Sequence, residues 1–141
     1  MESNEKTLIT VQAKIKAPIN LVWKYWTTPE HIVCWNHASD DWHTTNADNY
    51  LEAGGKFNYR MESKNGSFGF DFWGIYNKVI PQQLIEITLG DERKMSVAFS
   101  SANGETEVLE TFEAESENSV ELQRGGWQAI LDNFKKYIES L

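Results

Sequence analysis

The stretch Asn118-Ser119-Val120-Glu121-Leu122-Gln123-Arg124-Gly125-Gly126-Trp127-Gln128-Ala129-Ile130-Leu131-Asp132-Asn133-Phe134-Lys135-Lys136-Tyr137-Ile138-Glu139-Ser140-Leu141 decides the architecture. Trp127, Ile130, Leu131, Phe134, Tyr137, Ile138 and Leu141 recur three and four residues apart, which puts them on one stripe of a long helix. Asn118 and Glu121 have the spacing of a capping box, so the helix is expected to start near residue 118. Gly125 and Gly126 sit inside this pattern. A glycine there costs roughly 1 kcal/mol against alanine, so a local cause is expected: close approach of the backbone to a sheet or ligand, or a kink.

Working back from the helix, the preceding residues read as strands. Glu105 to Glu113 follows the hairpin signal Asn103-Gly104, and Arg93 to Ser100 places Met95, Val97 and Phe99 on one face. Leu84 to Leu89 follows Pro81, which has no N–H to give a ladder and so ends the aromatic strand Phe68 to Ile80. In that strand Phe68, Phe70, Phe72 and Tyr76 share a parity with Gly74. Lys56 to Glu62 alternates cleanly after Gly54-Gly55, with Phe57, Tyr59 and Met61 on one side. A further strand through Trp42 and Thr44 has a weaker pattern. At the start, Thr7 to Ile15 alternates with Ile9, Val11, Ala13 and Ile15 on one face.

Two short helices follow that first strand. Pro18 suits a first helical turn, and Ile19, Val22, Trp23 and Trp26 form an apolar stripe. Thr28-Pro29-Glu30 restarts a helix bearing Ile32 and Trp35. The order is one strand, two short helices, about six antiparallel strands and one long helix, in a single domain spanning 1–141. A half-wet sheet has to cover its apolar face, and only the last helix is long enough to do so. The fold class is therefore α+β.

Composition narrows the function. Aromatics are 13% of the 141 residues, including 6 Trp and 7 Phe, enough for a roomy core of large flat side chains. The formal net charge of -8, with no basic stripe, argues against nucleic acid and anionic membranes as partners. The single cysteine, Cys34, excludes an internal disulfide. No apolar leader follows Met1 and no run reaches the length of a membrane helix, so a cytoplasmic protein is expected.

Several segments carry a resemblance. Ala17-Pro18-Ile19-Asn20-Leu21-Val22-Trp23, then Thr27-Thr28-Pro29-Glu30-His31-Ile32 with Trp35, resembles the opening of the SRPBCC (START-like) superfamily. The similar branch is the proteins homologous to the activator of the heat-shock protein 90 ATPase. Its later signatures have counterparts in Gly54-Gly55-Lys56-Phe57, in Gly74-Ile75-Tyr76 with Pro81, in Gly104-Glu105-Thr106-Glu107-Val108, and in Gly126-Trp127 with Leu131 and Tyr137. The resemblance implies a helix-grip fold: a curved antiparallel sheet of about six to seven strands around the C-terminal helix, with an apolar cavity between them. It names no ligand, because the superfamily includes lipid carriers, polyketide cyclases and hormone receptors.

Three sets of residues invite chemistry. His31, Cys34 and His37, with Asp40, Asp41 and His43 nearby, do not have a spacing that closes a tetrahedral site, so no metal or other cofactor is expected. Cys34 lacks the surroundings of a nucleophile and reads as a small buried hydrophobe. Glu110 has two readings. If Thr106, Val108 and Phe112 face inward, Glu110 does too, as a ligand contact or a base; a one-residue slip would turn it out and bring Leu109 and Thr111 in.

These residues suggest a binding domain for an apolar or amphipathic small molecule. The expected wall is Trp23, Trp35, Trp42, Phe57, Tyr59, Phe72, Tyr76, Phe99 and Trp127, with Gly126 making room and Glu110 and His37 as polar contacts. One alternative is a protein-interaction module related to chaperone ATPase activators, recognisable by an exposed apolar patch. Another is a small cyclase- or hydrolase-type enzyme, for which no defined acid–base pair is visible.

Overall fold

Apolar residues at every second position make β1 (Leu8–Ile15) a half-buried strand: Ile9, Val11, Ala13 and Ile15 face in, and the residues between them face out. In the computed structural model, which describes residues 7–141, β1 is followed by α1 (Ile19–Thr27) and α2 (Pro29–Trp35). Six strands come next: β2 (Trp42–Asn49), β3 (Lys56–Ser63), β4 (Gly69–Ile80), β5 (Leu84–Leu89), β6 (Lys94–Ala102) and β7 (Glu105–Glu113). The helix α3 (Val120–Glu139) completes the order.

All seven strands join one antiparallel sheet in the order β1-β7-β6-β5-β4-β3-β2. The first strand therefore closes one edge against β7, and β2 forms the other edge. Register shifts between Thr44 and Asn46 and between Tyr76 and Lys78 bend the sheet into a curled half-barrel. The β6–β7 hairpin pairs Ala102 with Glu105, leaving two residues in the turn. Asn103 (φ 54°) and Gly104 (φ 78°) both adopt the left-handed conformation that such a turn requires.

The helix α3 lies across the inner face near β1. Lys135 Nζ donates to the Lys14 carbonyl (2.6 Å), and the Lys16 amide donates to Glu139 (2.8 Å). Gln128 reaches the Gln12 carbonyl (3.0 Å), so the outer flank of the helix is fastened along the edge strand. Leu131, Phe134 and Ile138 point down into the core, where Phe134 meets the rings of Trp26 (5.0 Å) and Trp35 (4.8 Å). The fold is α+β and of the helix-grip kind.

The helix begins later than the capping-box spacing predicts. Ser119 is the cap, its Oγ accepting the Leu122 amide at 3.1 Å. Asn118 is held back because Glu115 takes both its backbone N–H (2.6 Å) and its side-chain amide (3.1 Å). Glu121 instead pairs with Arg124. The strand through Trp42 and Thr44 is a full edge strand despite its polarity, since an edge needs apolar residues on one side only. On β4, parity alone overstates burial. Tyr76 is buried, Phe72 is half-buried, and Phe70 is 47% exposed because no layer covers that end of the strand.

Candidate functional site

The curl of the sheet leaves a pocket of about 310 Å³ between its inner face and the helices. Trp26 and Trp35 border it from α1 and α2, Phe57 and Tyr59 from β3, Phe72 and Tyr76 from β4, and Trp127 and Ile130 from α3. Ile85, Ile87, Met95 and Val97 form its floor on β5 and β6. Phe57 lies over Gly74, where a Cβ would stand 2.8 Å from the ring and 2.9 Å from Ile87. The glycine in β4 thus lets an aromatic side chain lie flat against the sheet.

Arg93, Glu115, Asn118 and Gln123 gather where β7 hands over to α3 and give the pocket one polar end. Gln123 organises this end: its Oε1 accepts the Glu115 amide (2.9 Å), and its Nε2 donates to the carbonyls of Glu115 (3.1 Å) and Asn118 (2.8 Å). Arg93 bonds Asp91 (2.7 Å) and the Glu113 carbonyl (3.1 Å).

Glu110 differs from these groups. The ladder sets it opposite Val11 on one side and Val97 on the other, in phase with Val108 and Phe112, so its side chain points inward at 5% exposure. Burial alone pushes its carboxyl up to about 8, with no neighbouring charge or hydrogen bond among the described residues to counter it. At neutral pH this group is therefore mostly a protonated carboxylic acid. Burial also raises the Tyr59 and Tyr76 hydroxyls, and Tyr76 donates to Asn49 at 2.5 Å.

Of the residues singled out from the sequence, Trp35, Phe57, Tyr59, Phe72, Tyr76, Glu110 and Trp127 meet at this pocket. Trp127 stacks on Phe112 (3.8 Å) and meets Phe72 edge-on (5.9 Å), but it is half-buried, not a fully enclosed anchor. Five others lie elsewhere. Trp23 packs edge-on against Phe99 (5.3 Å), and Phe99 also meets Trp26, so both belong to solid core beneath α1. Trp42 rests against Phe70 (5.9 Å) near the β2 edge. Gly126 is not among the residues that line the pocket, and it makes no close contact either, since a Cβ there would meet nothing within 4 Å.

His37 is the fifth. Its Nε2 faces Asn133 Nδ2 at 2.9 Å, and that amide also donates to the Trp35 carbonyl (3.0 Å). The Nε2 is then an acceptor, which leaves the buried Nδ1 with the proton and no partner. Burial, with Lys64 next, holds this imidazole below its usual range. His31 bonds the Tyr137 hydroxyl (2.7 Å). Cys34 is exposed, not buried, and its thiol points back to the Glu30 carbonyl. Among the described residues, no three His, Cys, Asp or Glu side chains are grouped to hold a metal ion.

Other lining residues went unnoticed in the sequence, although some were signalled there. Arg93 has the parity of Met95 and Val97, and Gln123 sits one helical turn before Trp127. Both signals were polar residues in phase with an apolar face.

A helix gripped by a curled antiparallel sheet, with a pocket between them, defines a protein of the helix-grip class. The family model described as Activator of Hsp90 ATPase homolog 1-like protein matches residues 16–139, and the chain belongs to that family. The solution structure of the AHSA1-like protein from Aeromonas hydrophila is 42% identical and superposes with a TM-score of 0.90, covering 95% of this chain and 93% of that one. Chr148 from Cytophaga hutchinsonii is 47% identical, with a TM-score of 0.82 and coverage of 94% and 92%. Protein NE0264 from Nitrosomonas europaea shares the fold at 16% identity, with a TM-score of 0.81 and coverage of 99% and 97%. No match was found among curated proteins.

Proposed function

We propose that the chain, acting as a single cytoplasmic domain, binds an apolar or amphipathic small molecule between the sheet and α3. The observation that carries this is the pocket itself: about 310 Å³ of space walled by aromatic rings, with a carboxyl among its few buried polar groups. That volume lies at the lower end of the roughly 300–1,000 Å³ usual for small-molecule sites, where an apolar wall with few polar groups is the common pattern. Glu110 is the preferred polar contact, and Trp35, Phe57, Tyr59, Phe72, Tyr76 and Trp127 the preferred wall.

Trp26, Trp35 and Trp127 border the space, so an entering ligand changes their fluorescence. Titration with 1-octanol, followed by tryptophan emission and calorimetry, is expected to show saturable binding of one molecule per chain. Linear, non-saturating behaviour up to the solubility limit refutes the proposal.

A second reading draws on the family's name: a protein-interaction module for a chaperone-type ATPase. It is favoured by Phe68 and Phe70, which are 70% and 47% exposed, with Phe70 beside Trp42. In that case octanol titration is silent, while an ATPase partner's binding is lost when Phe68 and Phe70 are changed to serine.

A further inference from the structure

We infer that the pocket selects organic amines: ligands with an apolar or aromatic body and one ammonium group, for which the Glu110 carboxylate is the counter-charge. This rests on the small-molecule reading above and gives that ligand a chemistry.

Glu110 carries the inference. It is 5% exposed, its strand neighbours Val11, Val97 and Phe112 are apolar, and among the described residues no charged group or hydrogen bond engages it. A carboxyl in such a place is costly to the fold unless something supplies a partner. Polar side chains elsewhere on the wall have partners: Asn36 with Thr44, Tyr76 with Asn49, and Gln123 with the turn before α3. Among the described residues, the carboxyl of Glu110 is the ionisable group of the wall with no such partner.

The sign of the ligand follows from the charges that face the space. Among the described residues, Arg93 is the one cationic side chain on the wall, and it bonds Asp91 through Nε and the Glu113 carbonyl through Nη1. A fatty acid or phosphate ester would thus bring its anion to a wall whose buried carboxyl repels it and whose arginine already has a carboxylate partner. An ammonium group meets the opposite: an acceptor carboxylate in a pocket lined by aromatic residues such as Trp26, Trp35 and Phe57, which favour cations. The formal net charge of -8 also draws cations toward the molecule.

The proton balance is simple. The ligand arrives as R–NH₃⁺, the neutral Glu110 carboxyl gives its proton to solvent, and the ammonium donates a hydrogen bond to the resulting carboxylate. Binding near neutral pH releases up to one proton per amine. The other titratable groups on the wall are Tyr59, Tyr76, Arg93 and Glu115, and burial keeps the two tyrosines neutral.

The test is calorimetric titration of the whole chain and of Glu110→Gln with octylamine, 1-octanol and octanoate at pH 7, in two buffers of different ionisation enthalpy. For the parent chain, octylamine is expected to bind on the order of tenfold or more tighter than 1-octanol, with octanoate weakest and with proton release. Glu110→Gln should lose that advantage, so that octylamine binds it no more tightly than 1-octanol does. If octylamine binds no tighter than 1-octanol, binds without proton release, or keeps its preference in Glu110→Gln, the amine assignment is overturned and the small-molecule reading stands. The proton-release measurement needs only the parent chain, so it decides the matter even if Glu110→Gln fails to fold. If none of the three probes binds the parent chain, both are overturned.

Discussion

At the scale of single residues, the chain keeps a carboxyl where burial alone governs its ionisation, and this makes a testable link to stability. Below about pH 4.5 the Glu110 carboxyl is protonated in both folded and unfolded chains; above about pH 8 it is ionised in both. Between those values the folded state holds a proton that the unfolded state has lost, so rising pH favours unfolding. This group alone contributes a fall of at most about 1.4 kcal/mol per pH unit across the window. Glu110→Gln, which cannot ionise, should match the parent chain's stability at pH 4.5 and exceed it increasingly toward pH 8. Denaturant midpoints at pH 4.5, 6, 7 and 8.5 measure the difference; a constant gap across them would mean that Glu110 does not titrate from a buried site. The sequence placed Glu110 on an alternating strand but left its face open, because parity fixes which residues go together and not which set faces in. The β1–β7 register settles it, setting Val11 opposite Glu110. His37 was unreadable for a different reason: Asn133, which fixes its ring, lies 96 residues away.

At the scale of elements, the same residue type serves opposite ends in α3 and β4. Six of the seven strands and the three helices were legible because side chains repeat with periods of two and 3.6, and because Pro81, Asn103 and Gly104 punctuate them, whereas β2 is polar and carries no such period. What period could not convey is which layer covers which stretch. Phe70 and Phe72 share the parity of Tyr76 yet grow more exposed toward the open end of β4. The glycines were misread for a similar reason. The Gly125-Gly126 pair suggested close packing under the closing helix, but a Cβ at either position meets nothing within 4 Å. The tight contact is at Gly74, beneath Phe57. Gly126→Ala is therefore expected to raise stability by roughly 0.5–1 kcal/mol, through helix propensity and a less flexible unfolded chain. Gly74→Ala should lower stability by about 1–3 kcal/mol, because its Cβ would force Phe57 or Ile87 aside. Chemical denaturation of the two variants gives both signs, and a destabilised Gly126→Ala would restore close approach as the reason for that glycine.

At the scale of the whole molecule, the fold divides into a solid half and a hollow half. Near β1, Leu131, Phe134 and Ile138 of α3 fill the gap to the sheet together with Ile9, Val11 and Ile15, and the backbone ties from α3 to Gln12, Lys14 and Lys16 lie along this edge. Toward β3 and β4 the sheet curls away, and the space is left open below Trp127 and Ile130. A chain selected for stability alone would fill that space, since each buried methylene is worth about 0.8 kcal/mol. If the opening serves a ligand, filling it should trade binding for stability. Ile130 is the position at which to ask, because it is half-buried on α3, borders the pocket, and projects from a helix that accepts a larger side chain without disturbing a strand ladder. Ile130→Phe should raise stability by about 1 kcal/mol, from the added apolar area removed from water. The same variant should bind 1-octanol roughly tenfold more weakly, as the ring occupies ligand space. Melting temperature and octanol titration on one preparation read both effects. A variant that melts lower, as overpacking a filled core would produce, or that binds octanol as the parent does, would show that the space under α3 is not the ligand site.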